Sequence, residues 1–291
     1  SHEDPDHFAS WQIISEGTIP LRYIRLIAAA VRRAVQTRRD AERERAAHAP
    51  PPPPPPAPPE EGDGDDLIDD APLPYALTDL GNSNWFIERY GLDLRWCGAM
   101  PGTGWMTWTG ARWEPDDFRL VNRQAATVGA MWRGVQVADE KMQTAIHKHV
   151  KHSESASGIR ALIEISQANE SIVTRAAQWD ADIWAFNTPS KTYDLRKQTA
   201  HIPRRSEYIT RVGSVDAASA GDCPLWMSFL DTIFGGDDEL IGYIQRAMGY
   251  CLTGSTSEQC VFICYGTGQN GKSKFIEVLH YILGDYAKQT P

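Results

Sequence analysis

The run GTGQNGKS, Gly266–Ser273, sits between the apolar stretch Cys260–Tyr265 and the amphipathic stretch Lys272–Leu283. A continuous, partly β-branched apolar run of that length predicts a strand buried on both faces of a parallel sheet. After the loop, Phe275, Ile276, Leu279, Ile282 and Leu283 recur near one side of a helix, for which Gly284 is a stop. Strand, glycine loop and helix in this order commit the segment to an α/β unit. Gly266, Gly268 and Gly271 let the backbone curl until its N–H groups converge on an anion, and the helix N-terminus adds its dipole to that pull. Lys272 reaches the β- and γ-phosphates as a point charge, while the Ser273 hydroxyl ligates Mg²⁺. The expected ligand is ATP with Mg²⁺. Its cradle is Gly266, Thr267, Gly268, Gln269, Asn270, Gly271, Lys272 and Ser273, with Lys272 and Ser273 the catalytic groups and Ser273 the metal ligand. A pattern of this form arises by chance in roughly one chain in a hundred or fewer.

Far upstream, Pro50–Pro56, Pro58 and Pro59 enforce a stiff polyproline II spacer, because proline has a fixed φ and no N–H. With the acidic EEGDGDDLIDD that follows, residues 47–72 read as a linker. Residues 1–46 read as the tail of an upstream domain. Their helix over 20–46 is apolar at Leu21, Ile24, Ile27, Val31 and Val35, and its arginines alternate with Asp40, Glu42 and Glu44 as on a solvated, ion-paired face. The net charge of −9 is concentrated here, since residues 1–70 hold 8 basic and 14 acidic side chains. The global charge therefore excludes a simple basic nucleic-acid binder without excluding contact with DNA. No run of 18 apolar residues and no signal-peptide pattern occurs, so the expectation is a cytoplasmic protein with no membrane partner.

Globular sequence resumes near Leu77. LRWCGAM (94–100) and WMTWTGARWEP (105–115) predict small antiparallel strands joined by glycine turns, with Trp105, Trp108 and Trp113 as core rather than base-stacking residues. Residues 117–178 predict helix with one break around 153–158. Within it, His147, His149 and His152, interleaved with Lys148 and Lys151, read as a solvated basic face rather than a zinc site. TYDLR (192–196) and AHIP (200–203) predict a second hairpin, and residues 224–234 and 237–252 two more helices. The five cysteines form no CxxC pair and read as reduced, buried thiols. The fold class is α+β: a mostly helical domain with small β-hairpins over 73–255, then the first strand, P-loop and helix of an α/β P-loop NTPase over 256–291.

Several separate stretches carry a resemblance: TDLGNSNWF (78–86), WTGARWEPD (108–116), WDADIWAFN (179–187), YDLR (193–196), EYIT (207–210), CPLWMSFLDTIFGGDDELIGYIQRAMGYCLTGSTSEQ (223–259), GTGQNGKS and LGDYA (283–287). In order and spacing they resemble the phage and plasmid primase family, which joins a primase to a superfamily-three helicase of the poxvirus primase-helicase type. Thr188–Lys191 departs from that family's usual Asn-Gly turn, and Thr267 stands where proline is common. The resemblance implies a helical collar that assembles a homo-hexameric ring around DNA, followed by an AAA+-like motor that hydrolyses ATP to unwind DNA during replication. It also implies that Asn270 belongs to the loop pattern. The family's later acidic motif, sensor and arginine finger have no counterpart within the 18 residues after Ser273, so the expectation is a piece truncated after the P-loop that turns over no ATP by itself. Two other readings stand beside it, an oligomerisation or partner-binding module and another P-loop NTPase.

Overall fold

In the computed structural model, which describes residues 73–218, 223–265 and 270–289, Thr78 starts the first helix. Its Oγ1 accepts from the amide of Gly81 at 3.0 Å, satisfying one orphan donor of α1, Asp79–Tyr90. The expected helix over 20–46, the linker over 47–72 and residues Gly266–Gln269 lie outside the described residues. What is described separates into two bodies. One comprises residues 73–109 and 113–179, the other residues 110–112 and 180–289.

In the first body the tryptophan-rich stretches form an antiparallel sheet in the order β1 (Leu94–Trp96), β2 (Trp105–Trp108), β3 (Trp113–Pro115), with Trp96 opposite Trp105 and Trp108 opposite Trp113. Trp105 and Trp113 are buried, which makes them core as expected. Four helices follow: α2 (Leu120–Ala126), α3 (Val128–Arg133), α4 (Glu140–Ser153) and α5 (Ala156–Ser166). The last two are capped by Asp139, which accepts from the amides of Lys141 and Met142, and by Ser155, which accepts from Gly158. Phe86, Leu94, Trp132, Ile146, Leu162 and Ile172 close the core between them. The helix expected through 178 stops earlier because Ile172–Thr174 is drawn to the edge of β1. There Trp96 donates to Ile172 O at 2.9 Å and Thr174 donates back to Trp96 O at 2.8 Å.

The centre of this body is polar. Asn82, fully buried, accepts at Oδ1 from the indole Nε1 of Trp132 (2.7 Å) and from His149 Nε2 (2.9 Å), and its Nδ2 donates to Ser153 Oγ (2.9 Å). An indole N–H can only donate, so the amide oxygen must face it, and the same oxygen obliges His149 to carry its proton on Nε2. The expectation of a wholly solvated histidine face thus fails at His149, which turns inward while His147 and His152 stay outside. Burial, assisted by the neighbouring His152 and opposed by Asp79, holds the His149 pKa below its ordinary 6.5.

The second body has its own three-stranded antiparallel sheet, β4 (Ala185–Asn187), β5 (Thr192–Asp194) and β6 (Thr199–His201), so the expected hairpin gains a strand. Against it lie α6 (Pro224–Phe234), α7 (Asp238–Tyr250) and α8 (Lys272–Leu283). Their shared core is aromatic. Phe275 of α8 stacks on Trp226 of α6 at 5.7 Å between centroids and meets Phe234 edge-on at 6.3 Å. A fold of helices with two small antiparallel sheets is α+β, as expected. The run 260–265 is different: it joins no sheet among the described residues. Phe262 packs on the aromatic core, while Val261 and Ile263 are 84% and 67% exposed. The two-residue alternation of a strand persists, but a parallel strand covered on both faces requires neighbours that these residues do not supply.

Asn82→Ala leaves the Trp132 and His149 donors buried without an acceptor, at about 1–3 kcal/mol per orphaned group. The midpoint of thermal unfolding of the first body should drop by several degrees, as followed by calorimetry. The titration of His149 has a definite sign: its folded pKa lies below the unfolded one. Its contribution to stability is intact above pH 6.5 and declines as the pH falls below that value, by up to about 1.4 kcal/mol per unit until the folded pKa is reached. Urea unfolding between pH 7.5 and 5 measures this slope, and His149→Phe should flatten it.

Candidate nucleotide site

The site is set by the start of α8. Gly271 precedes it with φ of 82°, a left-handed conformation that a side chain rarely adopts. Space makes the same demand, since a Cβ there would lie 2.6 Å from Ile233 Cγ2 and 3.2 Å from Phe229 Cε2 on α6. Gly271 is thus pressed against α6 at the point where α8 begins. Phe275 donates to Gly271 O at 2.9 Å, closing the first turn and leaving the amides before it without intrahelical acceptors.

The far end of α8 is tied down more elaborately. Gly284 and its neighbours turn back so that Asp285 accepts from the Val212 amide (3.1 Å) and pairs with Arg112. Tyr286 Oη then accepts from the amide of Asn187 at 3.1 Å. Asn187, fully buried, spends its own side chain on three segments: Nδ2 donates to Ala111 O and Arg211 O, and Oδ1 accepts from Thr192 Oγ1. Burial pushes the Tyr286 phenol up to about 12, so it remains a neutral hydroxyl at any physiological pH. Asn187 and Tyr286 both lie in stretches that carry the resemblance, WDADIWAFN and LGDYA, but their pairing with each other joins positions 99 residues apart that no local pattern links.

At the N-terminal end, Lys272 donates from Nζ to Asn270 Oδ1 at 2.5 Å, which ties the ammonium to the residue before Gly271. The other half of that amide, Asn270 Nδ2, is buried and has no hydrogen-bond partner among the described residues. Lys272 and Ser273 line a cavity of about 830 Å³ whose walls also include Cys264, Ile276, His280, Tyr281 and Lys288. Burial raises the Cys264 thiol pKa and the nearby Lys272 charge opposes it. Glu277, also in the wall, is paired with Lys274 at 2.8 Å. Of the residues expected at the site, Asn270, Gly271, Lys272 and Ser273 are brought together, and Gly266, Thr267, Gly268 and Gln269 lie outside the described residues. His280, Tyr281 and Lys288 were missed, although His280 and Tyr281 follow Ser273 at the seven- and eight-residue spacing that puts them on its face of the helix. The cysteine expectation needs correction: all five are free, but only Cys97 and Cys223 are buried. No helix among the described residues is long and apolar enough to cross a membrane.

The cavity is bounded by the first turn of α8, two lysines, the Ser273 hydroxyl and the Glu277 carboxylate, which places cationic and hydroxyl groups side by side at a helix N-terminus. Comparison with known proteins gives the surrounding chain a relationship. A protein of Acanthamoeba polyphaga mimivirus described as a "putative helicase" is 42% identical over 52 residues, which is 18% of this chain and 5% of that protein, so the match spans about a twentieth of the relative's length. The family described as D5 N terminal like matches residues 83–235, from within α1 to the end of α6 and so across both bodies. That match takes in more than half of the sequence, and the chain belongs to the D5 N terminal like family.

Proposed function

We propose that this chain is the collar and nucleotide-binding part of a replicative primase-helicase that uses ATP to unwind DNA. On this reading residues 73–255 form the collar and 256–291 begin an AAA+-like ATPase domain. The whole protein works as a homo-hexamer around DNA. The observation that carries the proposal is the arrangement at the start of α8. There Asn270 holds Lys272 at 2.5 Å, Lys272 and Ser273 line one cavity, and the buried Asn270 Nδ2 has no partner among the described residues. The residues fit the expected ligands: Lys272 and the first amides of α8 would hold the phosphates, and the Ser273 hydroxyl would hold Mg²⁺. Bound Mg²⁺ supplies charge neutralisation across the phosphates. What the chain itself does is orient, since Gly271 packs against α6 at the start of α8 and Asn270 limits where the Lys272 ammonium can point.

A second reading, an assembly module without nucleotide chemistry, draws on Val261 and Ile263, whose exposure of 84% and 67% suits an unpaired edge. Binding separates the two. A fluorescent ATP analogue titrated with Mg²⁺ should bind, and Lys272→Ala should weaken it by tenfold or more while leaving the melting temperature in place. Gly271→Ala should weaken nucleotide binding and also lower the melting temperature, because its Cβ is strained by φ and crowded by Ile233. Absence of any binding by the unsubstituted chain at millimolar analogue would sink the nucleotide reading in favour of the module.

A further inference from the structure

The outward face of α4 carries a charge pattern that neither the core nor the nucleotide cavity uses. Its buried residues are Ile146, His149, Val150 and Ser153. At 3.6 residues per turn the opposite face is made by Lys141, Thr144, His147, Lys148 and Lys151, all exposed. Helices that lie against solvent usually neutralise such lysines with carboxylates three or four residues away. Here those positions hold Val137, Ala138, Thr144, Ala145, His147, Lys148, Lys151, His152, Glu154 and Ser155. The one carboxylate among them, Glu154, is taken by Arg133 at 2.5 Å. Glu140, in the first turn, is the only acidic residue on the helix, and none of the three lysines has an ion pair among the described residues. A row of cations about 15 Å long is therefore left unneutralised, in a chain whose net charge is −9. Lys148 and Lys151 stand three residues apart and repel each other, which a purely structural face would gain nothing by keeping.

We propose that Lys141, Lys148 and Lys151 on α4 form a contact surface for the phosphate backbone of DNA. Charge complementarity selects the partner. Lysines projecting from one helix face, without arginine forks or exposed aromatics between them, match phosphates rather than base edges, so the contact positions the nucleic acid without reading its sequence. The surface adds a partner-binding element to the collar and rests on the reading that the protein works on DNA. It does not rest on the nucleotide site.

The test uses the full 291-residue chain and fluorescein-labelled 30-nucleotide DNA, single-stranded and duplex, with anisotropy followed over a range of salt concentrations. Lys141→Ala/Lys148→Ala/Lys151→Ala should weaken binding on the order of tenfold or more at low salt, and lower the slope of log K against log salt by about one per lysine. The corresponding triple arginine variant should restore both. Nucleotide-analogue affinity and the melting temperature, measured on the same samples, should match the unsubstituted chain because the three side chains are exposed and far along the sequence from Lys272. DNA binding with an unchanged salt slope in the alanine variant overturns the surface even where the nucleotide reading holds. So does tighter binding of polyglutamate than of either DNA, which would make the partner an acidic protein. Absence of nucleotide binding alongside lysine-dependent DNA binding leaves the surface standing and removes the other reading.

Discussion

The place of Lys272 is decided at the opposite end of its helix. Tyr286 accepts from the backbone of the buried Asn187 in β4, and the exposed Asp285 takes both the Val212 amide and Arg112, so the turn after α8 is fastened to three segments of the chain. Around the buried Asn187 a hydrogen bond costs far more to leave unmade than it yields when made, which holds the turn in place. The aromatic stack of Phe275 on Trp226 supplies the other constraint, and a rigid helix transmits both to its first turn. The Lys272 side chain is thereby located by residues at the far end of its helix.

The first body follows the same logic with a different asparagine. Asn82 joins α1 to α3 and α4 through its three polar contacts, and the apolar side chains of the core pack around that fixed point. In both bodies one buried amide, fully used, specifies which segments meet. Apolar packing alone would tolerate several arrangements.

What was legible in the sequence was local. The α6, α7 and α8 helices follow from apolar spacing with Gly235 and Gly284 as stops, and the tryptophan strands follow from alternation between glycine turns. The illegible parts all depend on distant partners. Ile172–Thr174 left its helical pattern for an edge bond to Trp96, and His149 turned inward to reach Asn82 sixty-seven positions away. At the candidate site, the glycine and lysine pattern names Lys272 and Ser273, whereas the cavity walls from Cys264 and Lys288 come from separate segments. The pattern at 260–265 was read as a finished strand because periodicity reports the preference of a segment, and pairing requires a neighbour.

That same segment, uncharged and free of proline and glycine, has a bearing on how the protein behaves in a test tube. Cys260–Tyr265 combines high β-propensity with outward-facing Val261 and Ile263, the composition of a short template for cross-strand stacking. Association of the purified chain through this segment should grow with ionic strength, as screening shortens the range of the repulsion between molecules of net charge −9.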